Sequence, residues 1–267
     1  MRQHVVVFDL DETLGFFSSL GVLCSSLNIV LDDNRYYQKN FNKIMDLYPE
    51  FLRPGILNIL KYLKTSKRTK ICSKVIIYTN NQGPREWTVQ IKDYLDSKID
   101  YKLFDNIIAA FKVNGRQVEL GRTSHDKNIG DFINCTKLPR NTQVFFLDDQ
   151  PHMGMEDKNV YYVNLFPYIY HLEWTDMINR FWPAFKDELD DSFTKEQFTS
   201  RMMDSINRYN INVETKNPDE YDAESVVSMA IMKHLKEFFS DVSNRTLRQK
   251  DDNKKNHNKT QKRKKRL

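Results

Sequence analysis

Three short apolar runs in this chain each end in groups able to do polar chemistry. VVVF (Val5 to Phe8) leads into Asp9, Asp11 and Glu12. KVIIYT (Lys74 to Thr79) leads into Asn80 and Asn81, and VFFL (Val144 to Leu147) leads into Asp148 and Asp149. Side chains alternate along an extended strand, but where the chain turns out of the sheet two carboxylates at i and i+2 can face one pocket. Two carboxyls in different surroundings hold different protonation states, the usual way one site does both acid and base work. Asp9 is then available as a nucleophile that accepts a phosphoryl group. Asp11 can protonate the leaving oxygen and later activate water. Thr13 is expected to hold the turn through local backbone groups, and Glu12 to point to solvent.

Gathered negative charge that faces an anionic substrate needs a cation. Asp148 and Asp149 supply hard oxygen ligands opposite Asp9. With the Asp11 backbone carbonyl and waters they make an octahedral oxygen site suited to Mg²⁺. Such an ion offsets the repulsion between carboxylate and phosphate and orients the phosphate for in-line attack. Thr79 and the Asn80 amide are the candidates to bond phosphate oxygens, and a lysine is expected to stabilise the transferring charge.

The elements that must position these groups are also legible. Each of the three runs is short and continuously apolar, the pattern of a strand buried on both faces of a parallel sheet. Between them, PGILNILKYLK spaces Ile56, Leu57, Ile59, Leu60 and Leu63 as one face of a helix, with Pro54 suited to its start. REWTVQIKDYLDSK does the same with Trp87, Ile91 and Leu95, a stripe read as core. DKNIGDFINC predicts a weaker helix, blunted by Gly130. Strand–helix alternation predicts an α/β fold with a doubly wound, mainly parallel sheet, whose ligands bind beyond the carboxyl ends of the strands. All three polar clusters fall at those ends.

Residues 1–185 are expected to form this core, with 15–52 as a small insert or flap. Residues 186–245 are expected to add a helical extension. There Thr194 and Gln197 have capping-box spacing, and Val227, Ile231, Leu235 and Phe239 mark an amphipathic helix beyond the polar break VETKNPDEYD. Residues 246–267 are too charged and too poor in apolar residues to fold alone.

DLDETL, a strand ending in Thr79 and a later DD turn resemble the haloacid dehalogenase superfamily of aspartate-nucleophile phosphatases. The resemblance is more specific to its FCP/SCP-type (NIF-domain) branch, which acts on phosphoserine in proteins, notably the RNA polymerase II C-terminal repeat. That branch reads DLDETL, then RPG opening a helix, then a strand ending in Thr, then a D-[DN]-x-P turn. This chain has RPG at Arg53 to Gly55 and DDQP at Asp148 to Pro151, and the similarity covers roughly Val5 to Tyr168. The resemblance implies Asp9 as nucleophile and Asp11 as acid and base, with Mg²⁺ on Asp9, the Asp11 carbonyl and the motif near Asp149. It also implies a phosphate-binding lysine ahead of the last of these strands, best matched by Lys127, with Lys112 as the fallback.

The formal charge of +5 conceals an asymmetry. Ten Lys or Arg against two Asp between Leu247 and Leu267 place +8 there and leave −3 on the rest. Such a tail suits a nuclear-import signal or a nucleic-acid contact, which keeps a nucleotide or nucleic-acid-end phosphatase as the alternative enzyme. A non-catalytic module of the same fold is the alternative from another class, disfavoured because Asp9, Asp11 and Asp148 are all present. The three cysteines are far apart and form no CxxC pair, so neither zinc site nor disulfide framework is expected. The uncharged stretch from Gly15 to Leu31 is too rich in Ser, Gly and Asn for a spanning helix and lacks the flanks of a signal peptide. An intracellular protein, cytoplasmic or nuclear and without membrane contact, is the expectation. His125 and His152 are expected at the surface.

Overall fold

A computed structural model describes residues 3–189, 193–210 and 224–240. The chain opens with β1 (His4–Phe8), then α1 (Ser18–Val30), α2 (Tyr36–Asp46) and α3 (Ile56–Arg68). β2 (Lys74–Tyr78), α4 (Arg85–Lys98) and β3 (Phe104–Ile108) follow. A small hairpin of β4 (Lys112–Val113) and β5 (Arg116–Gln117) precedes α5 (Ile129–Thr136), β6 (Gln143–Asp148) and β7 (Val160–Asn164). Helices α6 (Trp174–Phe185) and α7 (Lys195–Ile206) come next, and a last helix, α8, spans 224–240.

Five strands form one parallel sheet in the order β3-β2-β1-β6-β7. The chain therefore winds outward from β1 in both directions, and the crevice between the ends of β1, β2 and β6 is the switch point of the topology. Register places Phe8 beside Ile77 on one side and beside Leu147 on the other. Asp9 and Asp148 consequently emerge at one level, with Thr79 one residue beyond it on β2.

Both faces of the central strands are covered, which is why β1, β2 and β6 read as unbroken apolar runs. Val6, Phe8, Ile77, Phe145 and Leu147 join a large cluster with α1 to α4 and α6 to α8, while Val5, Val7, Ile76, Val144 and Phe146 meet Phe132 of α5 and Met155. The segment 15–52, expected as a small insert or flap, is largely helical. It forms α1 and α2, whose Leu20, Leu23, Leu27, Phe41, Ile44 and Met45 are buried in the same cluster. The expected C-terminal helices pack there too, through Phe198, Met202, Ile231, Leu235 and Phe239, with Val227 half-buried. The Thr194–Gln197 capping box is formed in both directions. One boundary differs from the sequence expectation: α3 starts at Ile56, with Gly55 as its N-cap at φ 78°. Pro54 lies just outside the helix, because the left-handed cap must be the glycine. VETKNPDEYD and the basic tail lie outside the described residues.

Candidate active site

β1 delivers Asp9 at the floor of a cavity of about 230 Å³, lined also by Asp11, Glu12, Thr79, Asn80, Asn81, Lys127, Asp148, Asp149 and His152. Asp9, Asp148 and Asp149 each present an oxygen within 4.8 Å of the others, and all three are buried. Lys127, 1 % exposed, sits between two of them: its Nζ donates to Asp9 Oδ1 at 2.5 Å and to Asp148 Oδ2 at 2.6 Å. Lys112 is on the β4–β5 hairpin, its Nζ 5.0 Å from the Phe111 ring centre. The chain thus places Lys127 in the cavity, just before the Asn128 side chain that caps α5.

Burial is the main influence on the carboxyls. It pushes Asp9 up, Lys127 opposing and Asp148 adding to the effect. It also raises Asp11, against a hydrogen bond from Asn81 Nδ2 to Asp11 Oδ2 at 2.8 Å. For Asp148 burial acts in the same sense but is outweighed by His152 and Lys127, which hold its carboxyl low. The two aspartates of the DxD pair therefore have different partners. Asp9 faces a cation and two acids, whereas Asp11 faces a neutral amide.

Thr79 Oγ1 accepts from the Asn81 backbone N–H at 3.0 Å, which leaves its hydroxyl proton to donate to an anion in the cavity. The Asn80 side-chain oxygen is buried with no hydrogen-bond partner. The trio of carboxylates is a fitting donor set for a hard divalent cation, since every donor is an anionic oxygen and a single lysine does not balance three acids. The buried aspartates can thus hold a metal ion. The Asp11 side chain lies outside that trio.

Several groups depart from the sequence reading. Thr13 does not bond local backbone groups with its hydroxyl and does not line the cavity. Its Oγ1 donates to Asp149 Oδ1 at 3.0 Å, so it orients a carboxylate across the site. Glu12 is half-buried rather than solvated, at φ 61°, because the turn after Asp11 requires a left-handed residue there. His152 is buried, with Nε2 3.4 Å from Asp148 Oδ2, whereas His125 is exposed as expected. Proximity of His152 to DDQP was the available signal; a loop position alone hid its burial.

Two arginines have structural roles that the sequence did not assign, Arg53 being noted there only as the start of RPG. Arg53, also 1 % exposed, donates from Nε to Thr13 O and from Nη2 to Glu12 O and Phe166 O, and its Nη1 pairs with Glu224 of α8 at 2.6 Å. The arginine of RPG is therefore the clamp on the carbonyls of the DLDETL turn. Buried Arg122 donates to Thr79 O, Ala109 O and His125 O, tying the ends of β2 and β3 to the loop that carries Lys127. No periodicity marks either residue, since all of Arg53's partners lie 40 or more positions away and Arg122 joins Thr79 O, 43 positions back, to Ala109 O and His125 O.

Gly15 completes the turn. A Cβ built there would lie 2.3 Å from Phe51 O, because Phe16 N donates to that same carbonyl and draws the two segments together. Gly15→Ala is expected to lower stability by about 1–3 kcal/mol, read as a drop in the urea midpoint. An unchanged midpoint would show that the segment shifts freely.

Among the described residues no helix is long and apolar enough to cross a membrane. Comparison of the chain with protein-family models, with curated proteins and with solved structures found no match.

Proposed function

We propose that this protein is a Mg²⁺-dependent phosphomonoester hydrolase that works through an aspartyl-phosphate on Asp9, built on a haloacid dehalogenase-type core of the FCP/SCP kind. The observation that carries this reading is the convergence of three strand ends on one cavity. There a buried lysine bridges Asp9 and Asp148 while Asp11 stands apart on Asn81.

Each residue of the cavity then has a chemical role. Asp9 attacks phosphorus, and the bond to the leaving oxygen breaks as Asp11 gives it a proton. Asp11 next takes a proton from water, whose oxygen attacks the same phosphorus and releases inorganic phosphate and free Asp9. Lys127 neutralises charge on the transferring phosphoryl group, and the Thr79 hydroxyl and the Asn80 amide bond its other oxygens. Asp9, Asp148 and Asp149, with the Asp11 carbonyl, would hold the ion, which supplies charge neutralisation and alignment of the phosphate when bound. Thr13 and Arg53 keep the turn and Asp149 in place.

Release of phosphate from phenyl phosphate and from a phosphoserine peptide, measured with Mg²⁺, tests the reading. Hydrolysis of at least one ester is expected, lost on chelation and restored by added Mg²⁺. Absence of hydrolysis with every divalent cation tried would overturn it.

A further inference from the structure

A second cavity, of about 430 Å³, opens beside the first and shares Asp11 and Asn81 with it. Phe17, Tyr37, Trp87 and Tyr209 give it an aromatic wall, and among the described residues Asp11 is the one charged side chain in its lining. The Trp87 ring packs edge-on against Tyr37 at 6.0 Å and Phe41 at 5.5 Å, so this wall is preformed. Opposite Trp87 lies Gly21 of α1, where a Cβ would sit 3.7 Å from Trp87 Cζ2. That is ordinary contact at an unstrained backbone position, so a Cβ is tolerated there and a longer side chain would project against the Trp87 wall.

We propose that this cavity holds the leaving group of the substrate, and that the leaving group is an uncharged aromatic ring system joined directly to the departing oxygen. The inference rests on the phosphomonoester-hydrolase reading and narrows its substrate. A general acid must touch the oxygen it protonates, so the alcohol departs on the Asp11 side of the phosphoryl group. Asp11 is itself part of the wall of this second cavity. A ring beginning at that oxygen meets aromatic faces and edges, which favour offset or edge-on ring contact. A second phosphate in the same place meets the Asp11 carboxyl and, among the described residues, no cation, which weighs against nucleoside diphosphates and oligonucleotide ends. A seryl ester, with no ring, leaves the cavity unfilled.

The test compares 2-naphthyl with phenyl phosphate, whose leaving oxygens have similar basicity but whose rings differ in size. In the wild-type protein the larger ester is expected to have the higher kcat/KM. Gly21→Leu, which fills the cavity from α1, is expected to lower the naphthyl-to-phenyl ratio about tenfold, the order of discrimination an apolar pocket provides. Tyr209→Ala, at a residue 41 % exposed, removes one wall without opening the core and is expected to lower the same ratio. This second variant keeps the test valid should the first fail to fold. A ratio unchanged in the folded variants overturns the proposal, as does a phosphoserine peptide or a nucleoside 5′-monophosphate with a higher kcat/KM than 2-naphthyl phosphate. Those results leave the hydrolase reading standing, whereas no turnover of any ester by the wild-type protein removes both. The same aryl-ester chemistry has two sources, and a phosphotyrosine peptide compared with 4-methylphenyl phosphate separates them. Faster turnover of the peptide supports the cavity as a tyrosyl site, and the reverse supports it as a site for a free aryl phosphate.

Discussion

Asp9→Asn is expected to reduce phenyl phosphate hydrolysis by at least about 10⁴-fold, the scale on which removing a covalent nucleophile acts, while leaving the fold intact. The amide has the shape of the carboxyl but cannot form the acyl phosphate. Stability should hold or rise, because Asp9 is buried beside Asp148 and Asp149 and its charged form is the disfavoured one. Lys127 keeps its second partner, Asp148 Oδ2, at 2.6 Å. Loss of activity without loss of stability is the mark of a residue placed for chemistry rather than for folding. Asp11→Asn is also expected to abolish turnover, by a different route. Asp9 can still attack an ester with a good leaving group, so phosphate should accumulate on the protein and be visible by intact mass. Wild-type rates in Asp9→Asn would sink the mechanism. Loss of activity in Asp11→Asn with no phosphoenzyme would instead indicate that the first step already needs the acid.

The largest stability effect is expected at Arg53. Arg53→Met removes a buried guanidinium from Glu224 and from the carbonyls of Glu12, Thr13 and Phe166. Breaking a buried pair from one side costs about 3–5 kcal/mol, because the remaining charge loses its guanidinium inside the protein. For a chain of this size that corresponds to a fall of about 6–20 °C in Tm. Adding Glu224→Leu to Arg53→Met should restore part of the loss, since the residual buried charge is then gone. The double variant still lacks the donors for the turn carbonyls, so its activity should stay below wild type even where its stability recovers. Additive losses from the two substitutions would show that the pair is not coupled. The ion pair also explains why α8 packs where it does, since Glu224 and Ser228, whose hydroxyl donates to Pro54 O, hold the RPG turn from outside.

These two substitutions mark the limits of what was legible in the sequence. Asp9, Thr79 and Asp148 could be found because each follows directly on a run of buried residues, and strand ends in a parallel sheet are where ligands bind. The helices α3 and α4 could be found because their apolar spacing is local. The role of Arg53 could not be read from RPG, since its partners lie 40, 41, 113 and 171 positions away and no local pattern encodes such distances. Asn81 and His152 were hidden for a related reason. Each sits in a turn beside a motif, and only the path of the chain decides whether its side chain meets a carboxylate or water. Thr13 shows the converse: its place in DLDETL was plain, yet its bond crosses to Asp149, 136 positions on.

By itself, then, the sequence determined the class of fold, the three strand ends and the carboxylates that belong to one site, because alternation, apolar runs and strand exits are local consequences of burial. Tertiary structure alone decided that Lys127 bridges Asp9 and Asp148, that Asn81 holds Asp11, and that Arg53 locks the turn. It also decided that an aromatic cavity opens beside Asp11. Those facts depend on which distant segments are brought within a hydrogen-bond length of one another, and packing of the sheet and helices around the common core sets that.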